Sequence, residues 1–413
     1  MKLSEELEYR GFKAENTIKD ITDLDNRENK QFYLGADPSA DSLTIGNLAA
    51  LLMSGCFIRH GYKPYFLVGG ATGQIGDPKE TSERELKSID EIEHNKQCIK
   101  SQIERVMKNY LSLAAAPDSM VMLDNLDWFK DINYLDFLRT VGKAFSMTQL
   151  LDRKFVQNRI GEGGSGISYA EFSYTLIQGY DFYHLYKEYG ITLQLCGADQ
   201  YGNCSSGIHL IRHLENVEAD TWSTPLVIDP ASGRKFGKSE GNAIWLASEG
   251  PNSTTVFDFY QFWLNQPDDS VEYLIKFYTL YSPEEVTKIL ENHQKAPESR
   301  LAQKALAKSV TEIVHGTEKT AAAIEATEKL FDRSYVATPD DADSFEGIFL
   351  EQKKGPILDI LADSGLATSK TDARKLIKAG AISVNGQKIT DDTIEITEKG
   401  ILKKGKNKFI IIK

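Results

Sequence analysis

The chain has 413 residues, 41% of them hydrophobic and 26% charged, enough to bury the cores of two or three soluble domains. Its formal net charge of −12 speaks against a protein coated in nucleic acid, and no run approaches the roughly 18 apolar residues of a membrane span. An acidic start (Met1-Lys2-Leu3-Ser4-Glu5-Glu6) unlike a signal peptide, with four scattered cysteines (Cys56, Cys98, Cys196, Cys204) in no metal-type pair, leads to an expected cytoplasmic location with reduced thiols.

In chain order, residues 32–35 and 64–69 read as short buried strands, and Leu48 to Arg59 between them has the apolar spacing of a helix. Strand, helix and strand in that order predict a parallel sheet, which places ligands at the carboxyl ends of its strands. Residues 84–115 and 133–160 are mostly helical by period, with a glycine-rich break at 161–166. Residues 191–195 form another buried strand, followed by a helix from about Ser205. The pattern over 255–332 is helical, and the Asp-rich stretch 338–344 reads as a linker.

The last sixty residues form their own unit. An amphipathic helix begins at 357–361; a second, capped by Thr368 and Ser369, runs from Lys370 to Ala379 and stops at Gly380. A strand at 381–384 then turns at Asn385-Gly386, a strong hairpin signal. Residues 351–413 hold 13 Lys and Arg against 8 Asp and Glu, so the preceding 350 residues carry a net −17. An acidic body with a basic tail fits polyanion contact at the C-terminus, or simply a lysine-rich solvated surface.

Tyr33-Leu34-Gly35-Ala36-Asp37-Pro38-Ser39-Ala40-Asp41-Ser42-Leu43-Thr44-Ile45-Gly46-Asn47 reads as a strand that breaks at a polar turn and opens a helix. Backbone N–H groups and the helix dipole favour an anion there, Gly46 allows close approach, and Thr44 and Asn47 add donors. The same turn also fits a purely structural cap. Lys235 and Lys238 set two ammonium groups around Gly237, as a clamp on phosphates needs; a solvated loop is the other reading. Tyr174, Gln178 and Asp181 share one face of a helix, and suit either a ligand or a satisfied core network.

Taken together, the first segment and Lys235-Phe236-Gly237-Lys238-Ser239 resemble the nucleotide-activating signatures of class I aminoacyl-tRNA synthetases, and the flanking sequence is similar to the bacterial-type tyrosyl-tRNA synthetases. The resemblance implies an α/β protein: a Rossmann-like parallel-sheet catalytic domain with a helical insertion (1–224), a phosphate-clamp loop and α-helical domain (225–335), a linker (336–353) and a small α+β S4-type RNA-binding domain (354–413). It implies a tyrosine–tRNA ligase of protein biosynthesis, homodimeric through helices within 110–165. Its substrates would be L-tyrosine, ATP and tRNA(Tyr), with Mg²⁺ arriving on ATP and no dedicated protein metal site.

The resemblance also assigns residues. Thr44, Asn47, Lys235 and Lys238 are the implied catalytic set. Tyr33, Asp77, Tyr174, Gln178, Asp181 and Gln200 are implied to hold tyrosine: Asp77, with Tyr174 and Gln178, at its ammonium, Tyr33 and Asp181 at its hydroxyl, Gln200 at its carboxylate. Gly35, Asp37, Ser39, Gly46, Arg84, Gly197, Asp199, Leu226, Val227 and Ser239 are implied to contact ATP, with Asp199 on its ribose; Arg374, Lys375 and Lys378 would meet RNA. A tryptophanyl relative fits less well, because an indole offers Asp181 and Tyr33 only a donor.

One position departs from the pattern. Thr44 stands where the family usually carries a histidine, and none of the seven histidines lies in that segment. Threonine is shorter and cannot carry charge. The alternative expectation is therefore a catalytically impaired paralogue that binds tyrosine or RNA.

Overall fold

Five strands form one wholly parallel sheet in the order β3-β2-β1-β4-β5: β1 (Gln31–Ala36), β2 (Lys63–Val68), β3 (Val121–Asp124), β4 (Leu193–Gly197) and β5 (Asp220–Thr224). The computed structural model describes residues 1–79, 82–151, 154–161, 163–228, 238–239, 242–332, 334–405 and 407–413. They divide into two compact units, 1–246 with 276–283, and 247–275 with 284–413.

The three strands expected from the sequence are the central ones, β2, β1 and β4. Both edge strands escaped that reading, since β3 has four half-buried residues and β5 alternates Thr and Ser with a single Trp. Strand order runs outward to β2 and β3 on one side of β1 and to β4 and β5 on the other. The switch point is therefore the crevice between the carboxyl ends of β1 and β4, where an open parallel sheet receives its ligand.

The helix Ile45–Arg59 begins three residues before its apolar spacing predicts, because Thr44 supplies an extended N-cap (φ −108°, ψ 171°). Its far end is fixed by a buried carboxylate: Glu6 accepts from Arg10 (2.7 Å) and from Arg59, and lies 3.0 Å from His60. Burial alone would raise the Glu6 carboxyl, but His60, Arg59 and Arg10 together pull it down to about 2. The turn before the helix is held from the side by the helix Ile89–Leu113. Asn95 donates to the Pro38 carbonyl (3.2 Å), while Gln102 donates to the Asp41 carbonyl (2.9 Å) and accepts from the Leu43 amide (3.0 Å). Two buried amide side chains thus fix the carboxyl-end loop of β1.

The second unit holds the helices Val256–Leu264, Leu301–His315 and Thr317–Phe331, followed by a five-stranded sheet. That sheet uses Ile382–Val384, Gly400–Lys404 and Lys408–Ile412, with the short strands Gln387–Lys388 and Glu351–Gln352 at its edges. The helices Ile357–Asp363 and Lys370–Lys378 bury Ile357, Ile360, Leu361, Ala373 and Ile377 in one core with Leu402 and Ile410. Asn385 (φ 46°) and Gly386 (φ 76°) make the left-handed turn of a hairpin, with Val384 opposite Gln387. Within the expected linker, Asp341–Ser344 is a helical turn, fixed because the buried Asp341 accepts from Tyr335 (2.5 Å) and Thr338 (2.9 Å).

Candidate active site

Three carboxylates converge at the carboxyl ends of the central strands. Asp37 follows β1 and accepts from Thr72 Oγ1 (2.6 Å) and from the Tyr174 hydroxyl (2.7 Å). Asp77 lies in the loop after β2 and accepts from Gln200 Nε2 (2.9 Å) and Asn203 Nδ2 (3.1 Å). Asp181, 3% exposed on the helix Tyr169–Tyr189, accepts from Asn125 Nδ2 (3.0 Å) and Trp128 Nε1 (3.0 Å). Asn125 also donates to Thr72 Oγ1 (3.1 Å), so hydrogen bonds run unbroken from Asp181 through Asn125 and Thr72 to Asp37 and Tyr174.

The glycines after β2 exist to let these carboxylates in. A Cβ on Gly69 would collide with Thr72 and Asp37, and one on Gly70 with Asp124. Asp124 in turn accepts from the Gly70 and Leu126 amides (3.2 and 2.9 Å) and pairs with Lys96 at 2.7 Å.

Burial pushes the Asp37 carboxyl up to about 6, against the bonds from Thr72 and Tyr174, and the Asp77 charge pushes the same way. Burial likewise raises Asp77, and raises Asp181 well above the carboxylate range. Buried carboxylates that raise one another in this way favour a cation beside them. Beside them two buried polar atoms have no partner among the described residues, the Tyr33 hydroxyl and Gln178 Oε1. Tyr33 is 1% exposed and packs edge-on against Phe182 (5.1 Å); burial, the two neighbouring thiols and the Asp181 charge raise its phenol well above its usual value. Buried polar atoms without a partner mark where a ligand's polar groups belong.

At the other end of the crevice, Asn47 Oδ1 accepts from both the Thr44 amide and the Thr44 hydroxyl, each at 3.0 Å. Gly46 and Asn47 are exposed. The chain returning after residue 243 is pinned to this same signature: Ile45 donates to the Ile244 carbonyl (3.1 Å) and Leu246 to the Leu43 carbonyl (2.8 Å). Just before it, Lys238–Ser239 pairs antiparallel with Asn242–Ala243. The segment 244–246, which follows the second signature in sequence, is thus a backbone neighbour of the first. Lys235 lies outside the described residues.

Of the remaining expected residues, Gly35 and Ser39 are exposed at the end of β1, and Gly197 and Asp199 stand at the end of β4. Leu226 is exposed and Val227 buried just past β5. Arg84 lies over the Asp77 loop, its Nε donating to the Asp77 carbonyl. Arg374, Lys375 and Lys378 are exposed on the helix Lys370–Lys378, in the second unit, with Arg374 3.3 Å from Asp392. Sequence reasoning missed Thr72, Asn125, Trp128 and Asn203. The signal available for two of them was the polar run Asp124-Asn125-Leu126-Asp127-Trp128, directly after the short strand β3. Among the described residues no three His, Cys, Asp or Glu side chains gather to hold a metal.

Comparison with known proteins agrees with this geometry. The family model for class I tRNA synthetases (W and Y) matches residues 25–332, and that of the tyrosine–tRNA ligase SYY-like C-terminal domain matches 338–413. The tyrosine–tRNA ligase of Streptococcus agalactiae is 36% identical over 439 aligned positions, covering 100% of this chain and 99% of the relative. That of Streptococcus gordonii is 37% identical over 428, covering 100% of both. Among solved structures, a C-terminally truncated mitochondrial tyrosyl-tRNA synthetase from Aspergillus nidulans superposes with a TM-score of 0.71 at 27% identity, covering 80% of this chain and 94% of that one. The chain belongs to the tyrosine–tRNA ligase family of class I tRNA synthetases.

Proposed function

We propose that this chain joins the carboxylate of L-tyrosine to the α-phosphate of ATP, expels pyrophosphate, and passes the tyrosyl group to tRNA(Tyr). The observation that carries the reading is the buried, unpartnered Tyr33 hydroxyl beside an Asp181 held by two donors. A phenolic hydroxyl satisfies both, and phenylalanine satisfies neither. Sites built to bond a hydroxyl reject the analogue lacking it by about 10⁴–10⁵, as tyrosyl enzymes do with phenylalanine.

In this reading Asp77, Tyr174 and Gln178 receive the substrate ammonium, with the Asp37 charge close behind. Gln200, oriented by its bonds to Asp77 and Asn203, steadies the reacting carboxylate. ATP lies across the ends of β1 and β4, with Gly35, Asp37, Ser39, Gly46, Gly197, Asp199, Leu226 and Val227 along it. Thr44, Asn47, Arg84, Lys235, Lys238 and Ser239 meet the phosphates. The protein's share of the chemistry is positioning and stabilisation of charge building on the leaving pyrophosphate. Mg²⁺ would travel on the phosphate oxygens and neutralise part of that charge.

We assign tRNA contact to Arg374, Lys375 and Lys378 in an S4-type domain over 354–413, behind the linker 336–353. The clamp loop and helical domain take up 225–335. We place the chain in the cytoplasm and read it as a homodimer; apolar side chains left open within 110–165 support the dimer, with Tyr134 59% exposed, Leu135 71% and Met147 58%. Among the described residues no helix is long and apolar enough to cross a membrane.

The test is tyrosine-dependent ATP–pyrophosphate exchange, with phenylalanine and tryptophan as controls. Exchange with tyrosine alone supports the ligase. Tyrosine binding without exchange would instead establish the impaired, RNA-binding paralogue that Thr44 raises.

The acidity of Asp37 sets a pH dependence. An ammonium beside it favours the ionised carboxylate, so the bound pKa lies below the free value of about 6. Above that value Asp37 is ionised and affinity is level; below it, binding must first displace a proton. Tyrosine Kd, measured by calorimetry between pH 5 and 8, is expected to rise by up to about tenfold per pH unit below 6. Asp37→Asn should flatten that limb, and a wild-type Kd constant down to pH 5 would refute the account.

A further inference from the structure

The geometry points to Arg159 and Glu171 as a buried positioning pair that sets Arg84 for its work on the phosphates. This inference rests on the reading of Arg84 as a phosphate contact.

Arg159 is 1% exposed and Glu171 3%, and they meet at 2.8 Å. Removing two charges from water carries a desolvation cost that their attraction must offset, and an apolar pair of similar volume often serves stability as well. The pair's value lies in what else it holds. Arg159 Nη1 donates to the carbonyls of Lys79 and Ser82, both at 2.9 Å, and Nε to the Gly166 carbonyl at 2.6 Å. The other oxygen of Glu171 accepts from the backbone amide of Arg84 at 3.1 Å.

One guanidinium and one carboxylate thus tie Lys79, Ser82 and Arg84 to Gly166 and to the first turn of the helix Tyr169–Tyr189. The anchored loop ends in Arg84, whose side chain crosses Gly76 and donates to the Asp77 carbonyl. A planar fork with donors fixed in three directions can make these bonds together. A lysine ammonium, a point charge on a flexible stem, cannot reach the same set. Tyr174, Gln178 and Asp181 sit one to three turns further along the helix, which is held independently by Ser168 at its N-cap. Loosening the pair should therefore disturb the phosphate end and spare the amino-acid end.

The test is a double-mutant cycle on the full-length protein, read by ATP–pyrophosphate exchange and by calorimetric tyrosine binding. R84A is expected to lower kcat/KM for ATP about tenfold or more, as loss of a charge-assisted contact does. R159K should lower the same parameter about tenfold with tyrosine Kd unchanged within about twofold. In the R84A background, R159K should cost less than about twofold, because its route of action is already gone. E171Q keeps one acceptor oxygen where two are needed, so it should follow R159K, and it carries the cycle if R159K fails to fold.

Full, multiplicative losses in the double mutant would overturn the inference while leaving the Arg84 reading intact. So would an equal loss in tyrosine affinity. An R84A protein with unaltered kinetics would bring down the Arg84 reading and this inference with it.

Discussion

Asp181→Asn is expected to lower kcat/KM for tyrosine in pyrophosphate exchange by about 10³, the largest effect of any single change in the pocket. Asn125 and Trp128 both donate to this side chain, one to each oxygen. An amide offers a single oxygen. Whichever way the substituted side chain turns, its NH₂ faces another donor, and one buried group loses its partner. The substrate hydroxyl loses its acceptor as well, leaving the Tyr33 phenol as its remaining neighbour. Tyrosine binding should therefore weaken more than phenylalanine binding, and the ratio of their kcat/KM values should fall. Tyr33→Phe removes the less essential half of the same recognition, so a loss of about 10-fold is expected from it. Equal losses for tyrosine and phenylalanine in Asp181→Asn would show that Asp181 supports the fold and does not read the hydroxyl.

What the sequence made legible follows from where periodicity survives. The strands β1, β2 and β4 are apolar runs buried on both faces, and the helices crossing between them carry full apolar stripes. β3 and β5 carry no such pattern. The first is short and half-buried, and the second is buried through hydroxyl groups: Thr221, Ser223 and Thr224 bond neighbouring strands and loops, or lie enclosed. The polar supports of the site were lost for the same reason. Asn125 and Trp128 follow β3 in a one-turn helix, where no period can show. Thr72 lies among glycines that leave room for Asp37 and Asp124, a close approach that no sequence period announces. Asp37 itself, assigned to ATP by resemblance, is hydrogen-bonded to Thr72 and to Tyr174, a residue assigned to tyrosine. A carboxylate held at once by Thr72 and Tyr174, from segments far apart in the chain, is a contact no linear motif expresses.

Thr44→His is expected to raise the rate of tyrosyl-adenylate formation by about 10-fold or more, with tyrosine affinity nearly unchanged. A preorganised donor that acts on the charge of the transition state is worth about 10²–10³ in rate. Thr44 is poorly placed to supply one, because its hydroxyl is committed to Asn47 Oδ1 at 3.0 Å and has only one proton to give. The local backbone should accept the imidazole. Thr44 is an extended N-cap, and its amide bond to Asn47 Oδ1, which the side chain does not make, survives the change. The Ile45–Ile244 and Leu43–Leu246 backbone bonds survive for the same reason. What is lost is a single side-chain cap contact, about 0.5–2 kcal/mol of stability. Thr44→Val separates the two roles: it removes the hydroxyl while keeping the shape, and should cost less than about threefold in adenylation. Single-turnover measurement at saturating ATP and tyrosine decides the matter. If Thr44→His is slower than the wild type and Thr44→Val collapses, the hydroxyl already reaches the phosphates when ATP is bound, and the threonine is this chain's own solution to the task. If histidine speeds the step while valine barely slows it, the phosphate charge is carried by the remaining groups of the site, with Thr44 serving only to start the helix.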